Sequence, residues 1–171
     1  ILNVMKYLSL LLFLLFGLLQ AQIVYIPDAN FKNALLSSNL DSSIARDENG
    51  QNIIVDINED GEIQQIEALR VYRLFMNSMD GHIVDLTGIK SFENLVYLKV
   101  DSNWIETLDL SGLSNLIDVS ASSNRIEDVY LSGLSNLEKL NLNDNKVNNI
   151  DLTGLNSLKE FPFHRQRMQQ S

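Results

Sequence analysis

The sequence predicts an α/β solenoid, a coil of short parallel strands closed at its N-terminal end by a helical cap. Three observations predict it. The segments LVYLKVDSNWIETLDLSGLSN, LIDVSASSNRIEDVYLSGLSN and LEKLNLNDNKVNNIDLTGLNS begin at Leu95, Leu116 and Leu137 and align without a gap, each 21 residues after the last. A fourth copy, LKEFPFHRQ, opens at Leu158 on the same step. Ahead of the copies, Asp28 precedes a stretch whose Phe31, Ala34 and Leu35 fall on one face of a helix. A fixed period of about twenty residues marks units that bury their apolar faces only by stacking on one another.

Each copy runs L-x-x-L-x-L-x-x-N-x-I. In a strand, alternate side chains point to opposite faces, so the L-x-L pair turns inward and the residues between turn out. Asn103, Asn124 and Asn145 stand where the chain leaves the strand. An asparagine amide there can satisfy turning backbone, and stacked copies form a ladder. Gly112, Gly133 and Gly154 mark a tight turn on the outer side. Before Leu95 the pattern is looser, with Ile83, Leu86, Ile89, Phe92, Leu95 and Leu98 at steps of three. This is a degenerate first unit, with its strand expected at Leu74-Phe75-Met76. His82 or Asn77 stands nearest to its Asn position, and His82 reads as a turn residue.

These units resemble the leucine-rich repeat, and the tail LSGLSNL is similar to the short-repeat, internalin-like bacterial members. The resemblance implies a right-handed coil with short parallel strands on a concave face. IPDANF, an Asp/Asn/Gly-rich loop, LTGI and then the repeats together resemble secreted bacterial leucine-rich-repeat proteins over most of the chain. The expected divisions are a signal peptide at 1–21, an N-terminal cap at 22–70 and repeats at 71–171. Met5-Lys6 followed by the apolar run at 7–19 and Leu19-Gln20-Ala21 supports the first of these. That run is too short for a comfortable membrane span, so no insertion is expected once it is cleaved. The expected location is secreted or cell surface.

Composition removes several functions. Thirteen Lys+Arg against 22 Asp+Glu give a net charge of −9, which argues against nucleic acid. With no Cys and only His82 and His164, a thiolate site, a disulfide framework or a zinc site has no material. The serines Ser111, Ser114, Ser132 and Ser135 recur at turns and lack a positioned base, so no enzyme is expected.

One stretch carries ligand chemistry. DINEDGEIQQIE, residues 56–67, fits the calcium-loop pattern D-x-[DN]-x-[DN]-G-x5-E at every specified position. Carried over by position, Asp56, Asn58 and Asp60 supply side-chain oxygens, Glu62 its carbonyl and Glu67 a bidentate carboxylate. Gly61 makes the turn, Gln64 acts at the ninth position and Ile63 anchors the loop. Oxygen ligands of this hardness suit calcium. No helix is expected to enter the loop, only one to leave it, and no second loop pairs with it. The expected cofactor is therefore a structural calcium that staples the cap.

The outward strand positions form the expected binding face: Tyr97, Lys99, Asp101, Asp118, Ser120, Ser122, Lys139, Asn141 and Asn143, with Glu160, Pro162 and His164 beyond. Tyr97 and Trp104 are the expected aromatic anchors. The functional expectation is a secreted, monomeric, non-enzymatic module that recognises an extracellular protein or peptide. The alternatives are a carbohydrate- or cell-envelope-binding accessory protein, and an incomplete fragment of a larger surface protein, since HRQRMQQS carries no capping pattern.

Overall fold

The computed structural model describes residues 22–79 and 81–164; the signal-peptide reading of 1–21 lies outside them, as does HRQRMQQS beyond His164. The chain enters through helix α1 (Ala29–Leu36) and strand β1 (Ala45–Arg46). It passes the 56–67 loop and a single-turn helix α2 (Gln65–Ala68), then winds through strands β2 (Arg73–Phe75) and β3 (Tyr97–Lys99). Strands β4 (Thr107–Asp109), β5 (Asp118–Ser120), β6 (Asp128–Tyr130) and β7 (Lys139–Asn141) complete the coil. Among the described residues no helix is long and apolar enough to cross a membrane.

The strands β1-β2-β3-β5-β7 form one sheet, parallel from β2 onward, with Leu74 opposite Leu98, Leu98 opposite Val119 and Val119 opposite Leu140. This is a leucine-rich-repeat solenoid, as the repeat predicts. The first parallel strand starts one residue earlier than expected, at Arg73, and the fourth copy contributes only a bridge between Glu160 and Lys139. The sheet's outermost member, β1, was not legible and comes from the cap. It pairs antiparallel with β2, and a turn at Asp47–Gly50 brings Asn52 back against its other side at Arg46. The opposite side of the coil is not helical. β4 and β6 form a second parallel pair there, and a 3₁₀ turn at Ile89–Ser91 is the nearest thing to a helix.

The core follows the 21-residue step. In the coil from Leu95, the side chains of Leu95, Leu98, Val100, Ile105, Leu108, Leu110 and Leu113 are all buried, and their equivalents in the next two coils stack on them. Burying each such side chain stabilises the coil by about 1.5–3 kcal/mol relative to exposure.

The asparagine ladder forms as expected. Asn124 donates to Val100 O of the coil before (2.9 Å) and to Ala121 O (3.1 Å), and accepts from Ile105 N–H (3.1 Å). Asn103 does the same with Met76 O, Val100 O and Ile83 N–H, and Asn145 with Ala121 O, Leu142 O and Ile126 N–H. All three are buried. In the first coil the register puts Met79, not His82 or Asn77, at the ladder position. Asn77 instead accepts from Asp101 N–H.

A second ladder runs along the outer side and escaped the sequence reading. Asn94, Asn115 and Asn136 each donate to the coil before, at Leu69 O, Glu93 O and Ser114 O. They too recur every 21 residues, so the signal was present in the tail of each copy.

Candidate functional site: the concave face and the cap loop

The cap is built on Asp28. One of its carboxylate oxygens caps α1 by accepting from Asn30 and Phe31 N–H, and the other accepts from Val84 and Asp85 N–H in the first coil. Burial alone would raise this carboxyl, but the N–H groups of Phe31, Val84, Asp85 and Asn30 outweigh it and hold it below the ordinary aspartate value. Phe31, Ala34 and Leu35 cover the end of the core, as the helical pattern predicts. Gly88 lies under the segment that enters α1, where a Cβ would meet Tyr25 O and Ile26 Cγ1 at 2.8 Å.

The 56–67 loop enters without a helix and leaves through α2, as expected. Asp56 is buried, and its Oδ2 accepts from Gly61 N–H at 3.0 Å. Its Oδ1 is buried and has no hydrogen-bond partner. Asn58 Oδ1 accepts from Asp60 N–H, and Asn58 Nδ2 donates to Asp60 Oδ2. Asp60 also accepts from Glu62 N–H and from the Gln64 amide. The Glu62 N–H leads the contacts that hold the Asp60 carboxyl below its ordinary value. Glu67 is buried, with Oε1 accepting from Ile57 N–H and Oε2 from Gln64 N–H.

Asp56, Asp60 and Glu67 therefore serve their own loop's backbone and do not converge; among the described residues no three acidic or histidine side chains gather as a metal cluster. The Asp60 oxygens each accept twice, whereas Asp56 Oδ2 and both Glu67 oxygens accept once and keep a second lone pair, and Asp56 Oδ1 has both free. The donor set is all oxygen and matches a hard cation. Glu62 adds a contact that sequence did not suggest, a 2.7 Å ion pair with Lys32 that ties the loop to α1.

The concave face places the expected columns side by side. Arg73, Tyr97, Asp118 and Lys139 are register neighbours, as are Phe75, Lys99, Ser120 and Asn141. Several of these side chains are already committed. Asp101 Oδ1 accepts from Ser120 Oγ, Ser122 N–H and Ser122 Oγ at 2.6–2.7 Å, and Ser120 is buried beneath that network. Asn141 donates to Ser120 Oγ, while Asn143 braces Asn141 and His164. Lys139 pairs with Glu160 at 2.7 Å, a contact that raises the lysine's pKa. Short side chains beside an aspartate on the next strand satisfy each other before any ligand arrives.

Trp104 stands off the concave sheet. It stacks on His82 from the coil before (4.5 Å between centroids) and lies under the Arg125 guanidinium from the coil after (4.1 Å). Its faces are used for packing along the rim. The arginines that sequence reasoning passed over take the aromatic positions of the sheet. Arg46 lies 5.0 Å from the Phe75 ring centre, and Arg73 lies 4.7 Å from that of Tyr97.

No protein-family model matches the chain, and no curated protein is significantly similar to it. Among solved structures, the functional domain of InlJ from Listeria monocytogenes is similar, at 25% identity and a TM-score of 0.63, over 81% of this chain and 27% of that one. An internalin, inlF, from Listeria monocytogenes covers 81% of this chain and 43% of its own at 16% identity and a TM-score of 0.50. The chain thus spans about a quarter and under half of the lengths of these two neighbours. What they share with it is the leucine-rich-repeat coil of internalins.

Proposed function

We propose that this chain is a secreted, non-enzymatic recognition module whose concave sheet binds a segment of an extracellular protein. The observation that supports this reading most is the five-stranded sheet with Tyr97, Lys99, Asp118 and Lys139 along its open side. The likeness to internalins adds to it. At about 4.8 Å per strand, the sheet offers roughly 20 Å, enough for a short extended segment. The test is capture of extracellular proteins by the immobilised chain, in parallel with a glycan array. Protein capture should be lost when Asp118, Lys139 and Asn143 are changed together to alanine. Retention only of glycans, or capture indifferent to those changes, would refute the reading.

We infer further that calcium binds the 56–67 loop through Asp56, Asn58, Asp60, Glu67 and the carbonyl of Glu62, and stabilises the cap. Asp56 Oδ1, buried and unpartnered, supports this best. For an extracellular site with a dissociation constant of about 1 mM, 10 mM calcium adds about 1.4 kcal/mol, or roughly 3–6 °C in melting temperature. Asp56→Asn keeps an acceptor for Gly61 and should remove that rise. An equal rise in the variant, or none in the native chain, would rule the site out.

A further inference from the structure

The register of β1 and β2 puts Arg46 directly opposite Arg73. Like charges at directly opposed strand positions are destabilising, because their Cβ atoms stand only about 5 Å apart. Acidic side chains are plentiful in this chain, yet none relieves the pair. Among the described residues the ion pairs take Lys32, Lys90, Lys139, Lys146 and Lys159, and none takes Arg46, Arg73 or Lys99. Lys99 is the register neighbour of Phe75, so three cations occupy adjacent strands at one end of the sheet. The outward residues of β1, β2 and β3 include no carboxylate. Asp47 and Glu48 follow in the turn whose Gly50 lies against the Arg73 guanidinium, with Asp47 committed to Asn49 and Gln51 N–H. On the sheet, Asp118 on β5 and the committed Asp101 come next.

The two arginines are also held in place. Arg46 Nε donates to Asn52 Oδ1 at 3.2 Å while its guanidinium rests near Phe75, and Arg73 rests on Tyr97. A guanidinium laid on a ring keeps its N–H edge free in a fixed plane, which is the geometry that forks a carboxylate with two parallel hydrogen bonds. Pre-ordering lowers the entropy lost on binding.

We propose that Arg46, Arg73 and Lys99 form a carboxylate-binding site that receives Asp or Glu side chains of an extended acidic peptide in a partner protein. This rests on the concave-face reading above and names its ligand chemistry. Two strand spacings separate the outer cations by about 10 Å, and carboxylates at alternate positions of an extended segment, about 7 Å apart on one face, fall within side-chain reach of them. A peptide fits better than an acidic glycan. Sugars bind aromatic side chains through an open ring face, and here Phe75 and Tyr97 each have a guanidinium over one face.

The test is fluorescence anisotropy with a labelled hexapeptide of alternating glutamate and serine, its glutamine counterpart, and polygalacturonate as competitor. The glutamate peptide should bind and weaken as salt rises, while the glutamine peptide should not bind. Arg73→Gln and Lys99→Gln should each weaken binding about tenfold, and Lys146→Gln, off this face, should leave it unchanged. Circular dichroism of each variant separates lost binding from lost folding. Equal binding of both peptides, or no effect of Arg73→Gln and Lys99→Gln, overturns the carboxylate site. Tighter binding of polygalacturonate, abolished by Arg73→Gln, overturns the peptide assignment in favour of a glycan. If protein capture falls with the Asp118, Lys139 and Asn143 changes but ignores Arg73→Gln and Lys99→Gln, the recognition face stands and only its acidic ligand falls. Capture indifferent to both sets removes both.

Discussion

The coils from Leu95 onward and the cap before β2 solve the same problem by different means. In the coils, turning backbone is satisfied by neutral amides. Asn103, Asn124 and Asn145 on one side, and Asn94, Asn115 and Asn136 on the other, bond the coil before them at every step. In the cap, carboxylates do that work. Asp28 gathers four N–H groups, Glu67 two, and Asp60 and Asp56 hold the loop between them. A periodic array can reuse one neutral device indefinitely. A cap has one irregular junction, and an ionised acceptor satisfies more donors there, at the cost of depending on pH and on cations.

The most damaging single change should be in the ladder. Asn124→Ala leaves the buried Ile105 N–H without its acceptor and removes one of the two amide bonds to each of the Val100 and Ala121 carbonyls, which keep Asn103 and Asn145. At about 1–3 kcal/mol for the unsatisfied N–H and about 1 kcal/mol for each of the two lost amide bonds, the loss should be about 3–5 kcal/mol in urea unfolding. A loss below about 1 kcal/mol would mean that the amide ladder is not what holds the coils.

Asp28→Ala should cost less, about 2 kcal/mol, because its site is half open to water and only part of the loss is a cap. Its signature is which region it frees. Limited proteolysis should cut between α1 and the first coil while the coils from Leu95 stay intact. Cleavage spread through the coils would erase the distinction between the regions.

Acid should act through the same carboxylates, more gently. Asp28 and Asp60 are held below the ordinary aspartate value of 3.8, as are Asp109 at the end of β4 and Asp151. A depressed folded pKa gives stability that is present above 3.8 and lost as pH falls below it. Melting temperature should therefore hold near neutrality and fall below about pH 4. Asp28→Asn should flatten that fall. An identical acid slope in the variant would show that Asp28 carries none of it.

What sequence disclosed follows the same division. The repeat step, the inward leucines and the Asn103, Asn124 and Asn145 ladder were legible because a stacked unit must repeat its solution. The Asn94 series is equally periodic, but it lies at the end of each copy, away from the strand pattern that marks the fold. Asp28 and the α1 stripe were legible as local helix chemistry. β1 was not, since a two-residue strand has no alternation to read. Its only hint was Asn49-Gly50, the pair that favours a tight reversal. The Arg46–Arg73 juxtaposition depends on that strand, so no spacing in the sequence announced it. Alternation sets Ser120 and Ser122 on the outward face, but it gives direction only, not whether a neighbour such as Asp101 already holds the side chain.

Native-state hydrogen exchange with and without 10 mM calcium puts the division between the regions to its most direct test. The amides of Ile57, Gly61 and Gln64, donors to Glu67 and Asp56, should exchange faster than those of Ile105 and Ile126 without calcium. Calcium should slow the first group about tenfold and leave Ile126 unchanged. Uniform protection across both groups, or a calcium effect that reaches Ile126 as strongly as Gly61, would contradict the account.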